Sequence, residues 1–205
     1  TPKPSSAASD VYKRQAVVRT GKVVIGESVG VWGVGGIGTH IVQLARLVGA
    51  APIIAVDINP VVCDRALELG ADFAFDSTDP DLMDKISDAT GGRKLDVAFD
   101  AVGLKVTFEQ ALESLTIGGR MVGVGMSDQC PTVGPTSMFG LTRKQVLGHL
   151  GYQNVDIETL ARLVSLGRLD LSRSISRIIP LEDIADGIDA LERGDGNPIR
   201  ILVAP

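Results

Sequence analysis

The run Val31-Trp32-Gly33-Val34-Gly35-Gly36-Ile37-Gly38 holds the residues whose types and spacing point most directly to chemistry. Gly33, Gly35 and Gly38 form a G-x-G-x-x-G pattern. Backbone without a Cβ turns tightly and approaches a bulky anion closely, and the first N–H groups of a following helix point toward that anion. Gly33 is predicted to make the turn, Gly35 to let a pyrophosphate approach, and Gly38 to pack helix against strand. With Gly36 and Ile37 they form the predicted phosphate cradle. Nineteen residues past Gly38, the apolar run Ile53-Ile54-Ala55-Val56 ends in Asp57. A carboxylate there accepts hydrogen bonds from ribose hydroxyls and repels a 2′-phosphate, and neither Ile58 nor Asn59 supplies a cation to offset this. The spacing therefore points to NAD rather than NADP.

Such a cradle must lie between a strand and a helix. Ser28–Gly33 reads as a strand, and Ile37, Ile41, Leu44 and Val48 recur after it at helical spacing. Further strands are predicted over Pro52–Asp57, Asp72–Phe75, Leu95–Asp100, Arg120–Gly125 and Gln145–Leu150. Helices are predicted over Pro60–Leu69, Asp81–Ala89 and Lys105–Leu115. Apolar strands joined by helical crossovers imply an α/β doubly wound parallel sheet, order 3-2-1-4-5-6, covered on both faces. Past Gly151 this rhythm lapses. Asp156–Leu166 and Leu181–Arg193 read as helices, and Ile175–Ile179 and Ile199–Val203 as strands, which suggests a partial second domain at the C-terminus. Thr1 to Gln15, rich in Ser, Ala and charge, has neither periodicity and reads as a disordered or non-native lead-in. The expected division is a lead-in over 1–15, a dinucleotide-binding domain over 16–150 and a partial domain over 151–205.

The 205 residues are 44% hydrophobic with a net charge of −5, and acids and bases are interspersed. That balance suits neither a nucleic-acid groove nor an anionic membrane surface. No apolar run approaches the roughly 18 residues that span a bilayer. Cys63 and Cys130 form no C-x-x-C pair and read as free thiols of a reducing, cytoplasmic compartment. His40, just inside the first helix, reads as a packed or capping histidine, and His149 has no acid partner that the sequence identifies. No catalytic residue and no metal ligand is assigned.

The glycine fingerprint is joined by Gln43-Leu44-Ala45-Arg46, Leu69-Gly70-Ala71-Asp72 and Asp100-Ala101-Val102-Gly103. Gly118-Gly119-Arg120-Met121-Val122 and Pro180-Leu181-Glu182-Asp183-Ile184 follow in the same order. Together they resemble the zinc-type alcohol dehydrogenases of the medium-chain dehydrogenase/reductase family, over roughly Ala16 to Pro205. The resemblance implies a Rossmann coenzyme domain inserted into a catalytic domain whose larger part precedes Ala16. Ala101, Val102 and Gly103, at the switch point of the sheet, would touch the adenine-side ribose or the mid-section of the coenzyme. Val122, Gly123 and Val124 would lie beside the nicotinamide carboxamide, with His149, Leu150 and Gly151 at the same end, and Arg200 would pair with the pyrophosphate. The activity implied is NAD-dependent hydride transfer between an alcohol and an aldehyde or ketone. Zinc is expected in the full-length enzyme on ligands that this chain lacks, and a homodimer is expected through the sixth strand. Two other readings stay open. One is a zinc-free quinone or enoyl reductase of the same superfamily, which Asp57 disfavours; the other is a module that binds NAD(H) without catalysis.

Overall fold

The computed structural model describes residues 13–151, 154–169, 175–193, 196 and 198–204. Six parallel strands, β1 (Val29–Trp32), β2 (Ile53–Asp57), β3 (Phe73–Asp76), β4 (Leu95–Asp100), β5 (Leu115–Gly123) and β6 (Gln145–Gly148), form a sheet of order β3-β2-β1-β4-β5-β6. This is the doubly wound order expected from the alternation. The crossovers carry α1 (Gly38–Val48), α2 (Pro60–Glu68), α3 (Leu82–Ala89), α4 (Lys105–Glu113) and α5 (Thr136–Thr142).

Local signals explain most boundaries. All of β1 is buried, and α1 turns Ile41, Leu44 and Ala45 inward. At the start of α2, the Asn59 side chain accepts from the Val61 N–H at 3.0 Å, with Pro60 in the first helical position where its fixed φ fits and its missing N–H costs nothing. One core cluster joins Trp32, Ile54 and Val56 of the sheet to Leu82 and Ile86 of α3 and Ala111 and Leu112 of α4. Full burial of each large side chain stabilises by about 1.5–3 kcal/mol, so α3 and α4 are held firmly on this face.

Several boundaries differ from expectation. β5 begins at Leu115, not Arg120: Leu115 pairs with Leu95, and a register shift before Val97 and Arg120 absorbs the glycine-containing stretch that reads as a turn. β6 ends at Gly148, although the His149 N–H still reaches the Gly123 carbonyl at 2.9 Å. Helix α5 has no buried residue and therefore no apolar stripe to announce it. Residues 13–15 of the expected lead-in are helical and run into a π-helical turn, Ala16–Thr20. The fully buried Asp156 draws Arg14, Gln15 and Arg19 onto its carboxylate. The remainder of the lead-in lies outside the described residues.

The chain divides into two compact units, one through Ala161 and one from Arg162, and the boundary falls inside α6 (Asn154–Ser165). In the second unit β7 (Arg177–Pro180) and β8 (Ile201–Ala204) pair in parallel, Arg177 opposite Ile201. A 3-10 turn, Leu181–Asp183, and α7 (Ile184–Arg193) connect them. Both strands start two residues later than expected, so Arg200 precedes β8 instead of sitting within it. Its carbonyl accepts from the Ser176 N–H at 2.8 Å.

Candidate functional site

The glycine turn joins β1 to α1, and each fingerprint glycine has its own geometric reason. Gly33 has φ +80°, a backbone region unfavourable to side chains, and a Cβ there would overlap Val102. A Cβ on Gly38 would overlap the Gly33 carbonyl oxygen, so helix and turn touch through backbone. A Cβ on Gly35 would meet nothing within 4 Å, because that glycine faces an open cleft.

Asp57 is placed to hold this turn. Its Oδ2 accepts from the Val34 N–H at 2.9 Å and its Oδ1 from the Asn59 N–H at 3.0 Å. The Val34 carbonyl accepts from the Thr39 hydroxyl at 2.6 Å, so side chains fix both polar groups of that residue. Behind β2, the Cys63 thiol donates toward the Asp57 and Phe75 carbonyls, and burial, then the charge of Asp57, push its pKa up. Burial lowers the Arg65 pKa, and the charge of Asp57 opposes that shift.

The cleft of about 910 Å³ opens at the carboxyl ends of β1, β2 and β4. It gathers Gly33, Gly35, Gly36, Ile37, Asp57, Ala101 and Val102. A ligand crevice at this end of a doubly wound sheet is the general rule. Its far wall is the turn Ser77–Pro80, which the sequence reading did not single out. Asp76 Oδ1 shapes that turn by accepting from both the N–H and the hydroxyl of Thr78 at 2.8 Å, bonds that hold the Asp76 carboxyl below its ordinary range. Asp79 on the same wall is paired with Lys85 and also held low. Gln110, Leu104 and Val106 from α4 and its approach complete the lining. The only signal in the sequence for the turn was its Ser-Thr-Asp-Pro composition at a strand end.

The other predicted residues are distributed differently. Gly38 is buried under the turn and does not line the cleft. Gly103 and Gly123 line a second cleft of about 710 Å³ with Asp100, Gly125 and Met126. Asp100 is buried, and its Oδ1 gathers the Val102 N–H, the Gly103 N–H and the Thr107 hydroxyl, each at 3.0 Å. This carboxylate sets the turn at the end of β4 and was missed as a positioning group. Val122 and Val124 are buried. His149 Nδ1 lies 2.9 Å from the Thr20 hydroxyl, Leu150 is exposed, and Gly151 has φ +84°. Arg200 lies in the second unit.

The donors and space of the first cleft suit a dinucleotide: open backbone at Gly35, a helix N-terminus at Gly38, and a carboxylate at Asp57. The described residues do not suit a metal, since no three His, Cys, Asp or Glu side chains converge among them. Also among the described residues, no helix is long and apolar enough to cross a membrane.

Comparison with known proteins identifies relatives of this chain. The (R,R)-butanediol dehydrogenase of Bacillus subtilis is 31% identical over 189 residues, covering 92% of this chain and 54% of that protein. The crystal structure of 2R,3R-butanediol dehydrogenase from Bacillus subtilis superposes with a TM-score of 0.87 at 28% identity, over 97% of this chain and 56% of that one. A zinc-binding dehydrogenase from Sinorhizobium meliloti, solved bound to NADP, has a TM-score of 0.87 at 27% identity, over 97% of this chain and 58% of its own. The chain thus spans about half the length of the curated relatives it matches. The profile of the zinc-binding dehydrogenases matches residues 36–166, so together with the doubly wound sheet and its fingerprint turn, the chain belongs to the zinc-binding dehydrogenase family, among the zinc-type medium-chain alcohol dehydrogenases.

Proposed function

We propose that this chain is the coenzyme-binding part of an NAD-dependent alcohol dehydrogenase. The reaction would be hydride transfer between an alcohol and the corresponding aldehyde or ketone. The observation that carries the reading is Asp57, which ends β2 beside the glycine turn and bonds to it. In this reading the turn from Gly33 to Gly38 binds the pyrophosphate, and Asp57 binds the adenosine ribose. Val102, Leu104 and Ile58 offer apolar surface to the base, while the charge of Asp57 is unfavourable to a 2′-phosphate. Ala101 and Val102 meet the mid-section. Gly103, Val122, Gly123 and Val124 serve the nicotinamide half, with His149, Leu150 and Gly151 as outer contacts. When bound, the nicotinamide supplies the hydride acceptor or donor. No step is assigned to zinc, because the described residues do not bring its ligands together.

The sheet through residue 150 would be the coenzyme domain and residues 151–205 a return to the catalytic domain. A homodimer would form through the outer edge of β6, and two free cysteines suit a cytoplasmic setting. The NADP-bound relative keeps NADP use as the competing outcome. The test is calorimetric titration with NAD(H) and NADP(H), followed by alcohol oxidation with either coenzyme by the full-length protein. Equal or tighter NADP(H) binding would overturn the coenzyme assignment.

A further inference from the structure

Gln110 joins three elements that the sequence keeps far apart. Its Oε1 accepts from Trp32 Nε1 of β1 at 3.2 Å, and its Nε2 donates to the Ser77 carbonyl at 2.9 Å. The Ser77 N–H in turn donates to the Asp57 carbonyl at 3.2 Å. A continuous chain of hydrogen bonds therefore runs from the fully buried Trp32, through the α4 side chain, to the wall of the cleft and on to the end of β2. Gln110 itself lines the cleft.

We infer that Gln110 is a positioning residue for the base end of the nucleotide site, holding the Ser77–Pro80 wall at the separation from Val102 that a purine needs. The inference rests on the proposed coenzyme reading. Its physical basis is the primary amide, which donates and accepts at once. Trp32 offers only a donor and the Ser77 carbonyl only an acceptor, so a side chain that does one or the other breaks the chain at a known link. Glutamate at this position accepts from Trp32 but cannot donate to Ser77, and methionine makes neither bond well. The wall is a turn joining β3 to α3, and Gln110 is what ties its first carbonyl across to α4.

The chain provides its own reporter, because Trp32 is its single tryptophan. The test titrates wild type, Gln110→Glu and Gln110→Met with 5′-AMP and 5′-UMP, which share a ribose phosphate and differ in the base, and records Trp32 emission. Both variants should weaken 5′-AMP about tenfold relative to 5′-UMP, the scale of one lost hydrogen bond, since the charge added in Gln110→Glu acts on both phosphates alike and cancels in the ratio. Emission should shift in Gln110→Met, which loses the acceptor for the indole N–H, and unchanged emission there would overturn the link to Trp32. Undiminished 5′-AMP affinity in Gln110→Glu would overturn the inference. Equal weakening of both nucleotides would also overturn it, because a scaffold defect acts on both alike. Wild type that binds neither 5′-AMP nor NAD would overturn the coenzyme reading itself and this inference with it.

Discussion

Asp57 Oδ2 accepts from the Val34 backbone N–H at 2.9 Å, tying the end of β2 to the turn that leaves β1. The carboxylate proposed to select the coenzyme is therefore also a brace of its phosphate cradle. Removing the side chain loses both roles, whereas replacing it with an amide separates them.

NAD(H) should bind at least tenfold more tightly than NADP(H), a difference of about 1.4 kcal/mol. Asp57→Asn keeps one acceptor oxygen where the carboxylate uses two, for Val34 and Asn59, and removes the charge, so it should narrow that gap by strengthening NADP(H) binding. Asp57→Ala should narrow it while weakening both coenzymes. Calorimetry on the three proteins checks this, and an unchanged ratio in Asp57→Asn would mean that the charge does not discriminate.

The glycines of the turn should respond differently to substitution. Gly35→Val places its side chain in the open cleft, where nothing lies within 4 Å of the new Cβ. It should abolish NAD binding with little change in thermal midpoint. Gly38→Ala drives a methyl into the Gly33 carbonyl and should destabilise the fold by roughly 1–3 kcal/mol, as overpacking does. Thermal melts and titrations of both variants separate site from scaffold, and coenzyme affinity retained in Gly35→Val would remove the turn from the phosphate site.

The two thiols should differ in reactivity. Cys130 is exposed, whereas Cys63 is buried and its pKa is pushed up by burial and by the nearby Asp57 charge. The thiolate is the reactive form, so timed iodoacetamide labelling read by mass spectrometry should modify Cys130 well before Cys63. The raised folded-state value favours the protonated thiol. Its stabilising contribution is full below the unfolded thiol pKa and is lost as pH rises through the folded one. Equal labelling rates would contradict the buried placement.

Glu109 supplies a pH dependence of the opposite sign. Its Oε1 accepts from the Thr132 N–H at 2.9 Å and from the Thr132 hydroxyl at 2.8 Å, and these bonds hold the carboxyl below its ordinary range. The contribution is present above the ordinary carboxylate range and is lost as pH falls through the depressed value. Hydrogen exchange at the Thr132 amide should accelerate relative to its neighbours as pH falls through that window. Glu109→Gln should show no such step.

Among the described residues β6 pairs only with β5 within its sheet, leaving its other edge open there, and Val146 on it is 37% exposed. If two chains join there across a two-fold axis, Val146→Asp should place like charges near one another and convert a dimer to monomer at micromolar concentration. Light scattering that finds wild type monomeric throughout that range would count against this interface.

Much of the architecture was written locally. The glycine turn, the acid at Asp57, the cap at Asn59-Pro60 and the all-apolar β1 each act within a few residues, and strand–helix alternation with right-handed crossovers then sets the sheet order. The start of β5 was not legible, because Leu115 is a strand residue only through its pairing with Leu95 and the register shift beside it. Helix α5 was not legible because it buries nothing. The cleft shows the same division. Gly33 and Asp57 could be named from spacing, but Gln110 reads as one more polar residue on an amphipathic helix. Its amide becomes a link only once folding brings Trp32, 78 residues away in sequence, and Ser77, 33 residues away, to its two sides. Local sequence sets backbone conformation through sterics and hydrogen bonds that reach one turn, and it did so here for the cradle. Which side chains face one another across a cleft depends on how whole elements pack, and only the tertiary structure decided that.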